Sequence, residues 1–366
     1  MINAITTRGP RQIAVIGMES QRQRPTVQQV ADLAGVSTAT VSNALNGTGR
    51  LSEATRERVI AAARELSYLP YAAARAHARG GTGVIGLTLA THGDLPVPYT
   101  EIPYYAHLVL AAIKAAHEQG YLLLVLPATL TSWAWLTTPL DGVIHTDPRT
   151  DDPVDAILAQ RGIPIVYAGR PPLPRRTDAW VDSAYDEALV ELLDHLRATG
   201  RRRIAVVLPD HDDAYPAVIR DAYLSWCAGA DQDPLVATFT PMLDLGDEAP
   251  MLRSLLSGAQ RPDAVVGVYD YSGTLLLDLA SELGLSVPDD LAIACFSDDP
   301  DYAHLDPAVT TVSLSPAALG AETVSLLVAL LNGRRGLRRQ RLIPSRLHLR
   351  QSTEATSRRR AQHAVD

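Results

Sequence analysis

The 366-residue chain lacks much that would mark an enzyme, a secreted scaffold or a membrane protein. Its two cysteines, Cys227 and Cys295, form no C-x-x-C pair, which argues against a disulfide framework or a zinc ribbon. Lysine occurs once, as Lys114 in a helical pattern, so a phosphate-loop or Schiff-base lysine is implausible. No apolar run reaches the length of about 18 residues that a membrane span needs. The opening "MINAITTRGPRQIAVIGMES" has no secretory core or cleavage site. The motifs G-x-S-x-G, G-x-x-x-x-G-K-[ST] and H-E-x-x-H do not occur. A cytoplasmic protein that is not an enzyme, with no cofactor and no metal, is the expectation. The competing class is an α/β enzyme or a small-molecule-binding protein acting on a sugar or nucleoside.

What is present is unevenly distributed. Apolar residues make up 46% of the chain and charged residues 20%, enough to bury a sizeable core. Residues 1–81 hold ten Arg against five acidic residues, a balance of +5. The remainder holds 23 basic against 36 acidic residues, a balance of −13. A basic head on an acidic body points to a head that meets a polyanion.

The head reads "TVQQVADLAGVSTATVSNALNGTGRLSEATRERVIAAARELSYLP" from Thr26. Thr26 is a helix cap, followed by Val27, Val30, Ala31 and Ala34 at helical spacing. Gly35 supplies the left-handed turn, and Ser37 caps a second helix from Thr38 to about Leu45. A third helix opens at Ser52, carries Val59, Ala63 and Leu66, and stops at Pro70. Two short helices joined by a tight glycine turn and braced by a third make a helix-turn-helix. The second helix carries few bulky side chains, which suits a helix that approaches base edges in a major groove about 12 Å wide. Asn43 is of the type that bonds adenine N6 and N7, and the methyls of Thr38 and Ala39 suit a thymine methyl. Thr26, Ser37, Ser42 and Asn46 are candidates for phosphate contacts, which position without specifying. A three-helix bundle that binds protein is the alternative.

The runs "VADLAGVSTATVSNALNG" and "SEATRERVIAAARELSYLP" resemble the DNA-binding head of the LacI/GalR family of bacterial repressors. The resemblance continues through "RRRIAVV", "RPDAVVGVYD", "LGLSVPDDLAIACFSDD" and "LDPAVTTVSLSPAALGAETVSLLVALLNG". It implies a homodimeric transcriptional repressor that binds a near-palindromic double-stranded DNA operator and answers to a small-molecule effector, a sugar or other metabolite. It implies a hinge helix in "YAAARAHARGGTG", where Ala74, Arg75 and His77 meet the minor groove. His77, a more polar and less bulky side chain, stands where the family places a wedging Leu. The string "GTGVIG" at Gly81–Gly86 satisfies G-x-G-x-x-G but runs into a strand instead of opening a helix, so no dinucleotide site is expected there.

From residue 83 strand and helix signals alternate, and the rhythm restarts near "RRIAVVL", which predicts two α/β lobes with parallel sheets. By resemblance they form a periplasmic-binding-protein-like effector domain, with lobe crossings near Val181–Asp182, Thr310–Val312 and Asn332–Gly333. The expected division is an N-terminal disordered arm over 1–24, with Met18 as an alternative start, and a helix-turn-helix domain over 25–70. A hinge over 71–82, a two-lobed effector and dimerisation domain over 83–352 and a disordered tail over 353–366 complete it. The segment "PATLTSWAWLTTPL" leaves room for little more than a helical turn where the family has a full helix. The C-terminal residues show no leucine heptads, so no tetramerising coiled coil is expected. Ligands in such folds lie beyond the carboxyl ends of strands. The candidate effector contacts are Tyr104, Tyr105, Arg220, Tyr269, Asp270, Ser297 and Asp298. The plain alternatives are a surface ion pair of Arg220 with Asp221, core packing for the two tyrosines, and a turn cap for Asp298. Ser297 replaces the first of two acids the family carries after the aromatic, which counts against an ordinary sugar effector.

Overall fold

The computed structural model describes residues 26–46, 49–66, 81–89, 91–92, 95–96, 102–127, 130, 132–210, 213–239 and 249–354. The hinge residues Ala74, Arg75 and His77 and the two termini lie outside them. The chain divides into two units, Met1–Arg79 and Gly80–Asp366.

The first unit holds α1 (Val27–Ala34), α2 (Thr38–Asn46) and α3 (Glu53–Glu65). Thr26 closes a capping box with Gln29 at the start of α1, and Gly35 at φ 64° ends it. The Ser37 hydroxyl accepts from the Thr40 amide at 3.1 Å, and Ser52 caps α3 by accepting from Thr55. The buried core is Val30, Ala31, Ala34, Val41, Ala44, Val59, Ala62 and Ala63. Val27 belongs to the helical stripe by spacing but is exposed, because the small domain covers only the turns that face α2 and α3.

The second unit has two six-stranded sheets. The first contains β1 (Val84–Leu89), β4 (Leu122–Pro127), β5 (Gly142–Thr146), β6 (Ile165–Ala168), β7 (Trp180–Ser183) and β13 (Gln340–Ile343), in the order β13-β7-β6-β5-β1-β4 and parallel throughout. The second contains β8 (Ile204–Pro209), β9 (Leu235–Phe239), β10 (Ala264–Gly267), β11 (Ala292–Phe296), β12 (Thr310–Ser313) and β14 (Arg346–His348). Its order is β14-β12-β11-β10-β8-β9, with only β14 antiparallel. A short hairpin of β2 (Thr91–His92) and β3 (Leu95–Pro96) follows β1.

Each sheet is covered on both faces, as near-continuous apolar strands require. In the first lobe α4 (Pro103–Glu118) and α11 (Pro316–Leu331) cover one face, and α5 (Ser132–Thr137) and α6 (Pro153–Gln160) cover the other. In the second lobe α7 (Tyr185–Ala198) and α8 (Ala214–Ala230) lie opposite α9 (Ala249–Ser257) and α10 (Ser272–Glu282). The shortened segment before Asp141 does form only a six-residue helix, α5, which buries Trp135 and leaves Trp133 exposed. The string at Gly81–Gly86 leads straight into β1, with Gly83 at φ 72°, and is no phosphate loop. The Asp141 carboxylate holds that entry by accepting from the Thr82 and Gly83 amides, the latter at 2.7 Å.

The chain crosses between lobes after β7, after β12 and between β13 and β14. The first two crossings follow the expected points. The third falls at Pro344–Ser345, not at Asn332–Gly333, because α11 remains on the first lobe and β13 must pair with β7 before the chain leaves. The crossings are bonded to one another: Ser183 Oγ donates to the Leu314 carbonyl at 2.6 Å, and Ser315 Oγ donates to the Pro344 carbonyl at 2.9 Å.

The α4–α11 contact depends on Gly320, where a Cβ would run into the Leu108 carbonyl oxygen. Backbone cannot yield as a side chain can, so Gly320→Ala is expected to destabilise the second unit by about 1–3 kcal/mol. Urea unfolding of the full chain checks this, and an unchanged midpoint would exclude the close contact.

Candidate DNA-reading helix and effector cleft

On α2 the buried Val41 and Ala44 turn one side to α1 and α3. Thr38, Ala39, Ser42 and Asn43 are all exposed on the other. The Thr26 and Ser37 hydroxyls are engaged as caps. Asn46 ends the helix, and its side chain lies outside the described residues. Gly49, at φ 76°, lies against the Asn43 side chain, and a Cβ there would approach Asn43 Nδ2 to 3.1 Å. The glycine therefore leaves room for the one carboxamide on the reading face best suited to a purine edge.

The second unit gathers its polar groups where both sheets end. Asp147 follows β5, Arg170 follows β6, Asp182 lies near the end of β7, Asp270 follows β10, and Ser297 and Asp298 follow β11. All stand at carboxyl ends of strands, the place where open α/β sheets take ligands. Tyr105 OH donates to Asp147 Oδ2 at 2.8 Å, and Tyr104 packs edge-on against Tyr105 at 5.1 Å. Arg170 Nε donates to Asp182 Oδ2 at 3.3 Å, and its guanidinium lies over Trp180 and Tyr185. Tyr185 meets Tyr215 edge-on at 4.9 Å, and Tyr215 OH donates to the Val268 carbonyl at 2.8 Å.

Ser297 and Asp270 form one unit. Ser297 Oγ donates to Asp270 Oδ1 at 2.6 Å, and the Asp298 amide donates to the same oxygen at 3.2 Å. A carboxylate thus lies beside position 297 although the sequence has a serine there; it comes from the neighbouring strand end. Asp298 accepts from Ser313 Oγ and from the Leu314 amide, so its carboxylate ties the β11 end to the second lobe crossing. Contacts also run from lobe to lobe: the Tyr104 amide bonds Asp270, and Arg149 bridges Asp213 through backbone. The first also supplies an α4 amide with a partner, since Ile102 gives that helix no side-chain cap.

The remaining candidates are placed differently. Tyr269 packs with Phe239 and Tyr271 at 4.6 and 4.7 Å, beside the core under α9 and α10. Arg220 is half-buried on α8, and no described carboxylate pairs with it, so the ion pair with Asp221 is absent. Sequence reasoning missed Asp147, Arg170, Asp182, Asp213, Tyr185 and Tyr215. The first three were detectable as the polar residues at or next to the ends of the runs "DGVIHT", "IPIVYAG" and "WVDS".

The acids are held in an unusual state. Burial raises the Asp147 carboxyl to about 7, with the nearby Asp213 adding to it and the Tyr105 bond opposing. Burial likewise raises Asp182 to about 6, against the lowering effect of Arg170, and Asp270 to about 6, against that of Ser297. Asp298 is also raised by burial. Tyr104, Tyr105 and Tyr215 are pushed well above the ordinary phenol range by burial and these acids. Folding therefore makes these carboxyls bind protons more tightly than the unfolded chain does, and their contribution to stability is lost as pH rises through about 6 to 7. Relative to Asp147→Asn, the wild-type chain should lose melting temperature between pH 5 and pH 8. Parallel melting curves for the two across that range would exclude a desolvated Asp147.

Comparison with known proteins agrees with both units. Residues 26–71 match the family described as bacterial regulatory proteins, lacI family, and residues 193–353 match the periplasmic binding protein-like domain. The chain is 32% identical to the HTH-type transcriptional regulator CelR of Thermobifida fusca over 86% of its own length and 94% of that protein's. It is 25% identical to the transcriptional repressor PurR of Mannheimia succiniciproducens over 82% and 90%. Among solved structures, a CelR–cellobiose complex matches with a TM-score of 0.68 at 27% identity, covering 90% of this chain and all of that one. The lac repressor dimer bound to operator matches in fold with a TM-score of 0.76 at 22% identity, covering 91% of this chain and all of that one. With a helix-turn-helix unit, a two-lobed ligand fold and a relative of this identity along nearly its whole length, the chain belongs to the lacI family of bacterial transcriptional regulators, effector-controlled DNA-binding proteins rather than enzymes.

Proposed function

We propose that this regulator is a cytoplasmic homodimeric repressor that reads a near-palindromic operator through α2 and takes a β-glucoside disaccharide of the cellobiose type in the cleft between its lobes. The observation that carries the effector assignment is the set of carboxylates at the strand ends, Asp147, Asp182, Asp270 and Asp298, interleaved with Tyr104, Tyr105, Tyr185 and Tyr215. Carboxylates accept from sugar hydroxyls, and tyrosine faces pack on the apolar faces of pyranose rings. Arg220, Tyr269 and Ser297 complete the proposed contacts, with Ser297 acting through Asp270. The cellobiose complex of the related CelR supports the ligand class.

In the head, Asn43, Thr38 and Ala39 read bases, while Thr26, Ser37, Ser42 and Asn46 face phosphates. Residues 71–82 serve as hinge, with Ala74, Arg75 and His77 in the minor groove, between a DNA-binding domain over 25–70 and an effector domain over 83–352. The arm over 1–24 and the tail over 353–366 are assigned to neither. The homodimer is supported by an unpartnered apolar face on α4 and the edge strand β4, where Leu110, Ile113, Leu122 and Leu124 are exposed. Effector binding changes lobe closure about the three crossings, and the two hinges follow. Among the described residues no helix is long and apolar enough to cross a membrane.

Asn43→Ala is expected to relax preference at one base pair per half-site and to cost about 1–3 kcal/mol there. Binding measured on operator variants tests it, and an unchanged preference removes Asn43 from base reading. Cellobiose should shift operator affinity of the wild-type chain, and Asp270→Asn should abolish that shift while sparing operator binding. Calorimetry showing no cellobiose uptake, or a normal response in the variant, would overturn the effector assignment.

A further inference from the structure

The acidic effector domain carries a concentrated basic surface at the end of the first lobe opposite its cleft carboxylates, where Asp178 accepts from the Arg175 amide at 2.7 Å. Arg175 and Arg176 precede β7, and Arg334, Arg335, Arg338 and Arg339 lie in the loop from α11 to β13. All six are exposed, and none forms an ion pair with a described carboxylate. Their neighbourhood is built, not accidental. β13 runs parallel to β7 with Gln340 opposite Trp180, which brings the two arginine segments side by side. Arg339 donates to the Thr177 carbonyl at 3.1 Å, and Gln340 Nε2 donates to the Arg175 carbonyl at 3.0 Å. Arg176, Arg338 and Arg339 line a groove of about 490 Å³ beside Trp180.

Attraction to a helix C-terminus explains part of this at most. Arg334 and Arg335 follow the end of α11, where cations gain about 0.3–1 kcal/mol. The other four arginines lie at strand starts, where no such gain exists, and six like charges repel one another. A polyanion would offset that repulsion.

Topology says which polyanion. All strands of the first sheet are parallel, so the starts of β7 and β13 lie at the same end of the sheet as the start of β1, and that end forms one edge of the lobe. That edge is where the chain arrives from the DNA-binding unit, through Thr82 and Gly83 held by Asp141. Fourteen residues, 67–80, separate the two described segments, so whatever their conformation the tether spans at most about 50 Å. The cleft carboxylates lie at the opposite end of the strands, so the arginines share the end of the lobe that takes the tether.

We infer that the arginine edge of the first lobe is a second, sequence-independent DNA contact that grips phosphates flanking the operator. It rests on the reading of the chain as an operator-binding repressor and adds to it. Arginine forks onto phosphate oxygens, and each phosphate neutralised releases counterions. The contact adds affinity for DNA longer than the operator and leaves base preference unchanged.

The test uses the full-length protein and an operator that it has itself selected from genomic DNA, prepared as a duplex of about 20 base pairs and as the same core inside about 60. The variant is Arg176→Gln, Arg334→Gln and Arg335→Gln together, three exposed side chains that make no hydrogen bond or ion pair among the described residues. The wild-type chain should bind the long duplex more tightly than the short one, with a steeper fall of log K against log salt. The variant should lose this advantage, its slope on the long duplex dropping by about 0.9 for each phosphate contact removed, while its binding of the short duplex stays unchanged. Equal slopes and equal affinities for the two lengths in the wild-type chain would overturn the inference and leave the repressor reading intact. So would an effect of inorganic phosphate on Trp180 fluorescence with no difference between duplex lengths, which would assign the groove to a small anion. Failure to prefer any duplex over random DNA would overturn both readings.

Discussion

The three chain crossings, bonded to one another through Ser183 and Ser315, are the constraint on which the effector domain depends. Each lobe has its own two-sided core. The crossings make them one device. They bring the carboxyl ends of two sheets face to face and leave only a few backbone torsions through which the lobes can turn. Asp298 joins this assembly by holding Ser313 and Leu314, so an acid at the cleft wall is also an anchor of the second crossing. A ligand that altered the bonds of Asp298 would act on the crossing directly.

The cleft is costly to maintain. Four carboxyls brought together with little water hold protons to higher pH than free acids do, and the tyrosines between them are pushed further from ionising. The chain offsets this locally with Arg170 on Asp182, Tyr105 on Asp147, and Ser297 with two amides on Asp270. What remains is a set of strong acceptors at the strand ends, suited to a ligand that brings hydroxyl donors. The first lobe also carries six exposed arginines at the other end of its strands, opposite Asp147 and Asp182.

Most of the head was legible before any coordinates, for a local reason. Caps, a left-handed glycine and an apolar stripe are read within a few residues, and Thr26, Gly35, Ser37 and Ser52 all act as their types predict. The exposure of Val27 was not legible, because helical spacing does not say how far a small core extends. In the body the alternation of strands and helices announced two parallel sheets. The third crossing was misplaced by twelve residues, since nothing local distinguishes a chain that leaves a lobe from one that turns back to pair with β7.

The site separates the two kinds of knowledge further. Sequence alone settled the helix-turn-helix, the small-residue exposed face of its second helix, the two-lobed fold and the strand ends from which a cleft would be built. Each of these follows from side-chain type and short-range spacing. It could not settle that the acid missing at Ser297 is supplied by Asp270, that Asp147 and Asp182 share the cleft with Tyr215, or that two arginine segments more than 150 residues apart form one edge. Those facts depend on strand order and register, which bring together residues distant in the chain, and only the assembled sheets specify them.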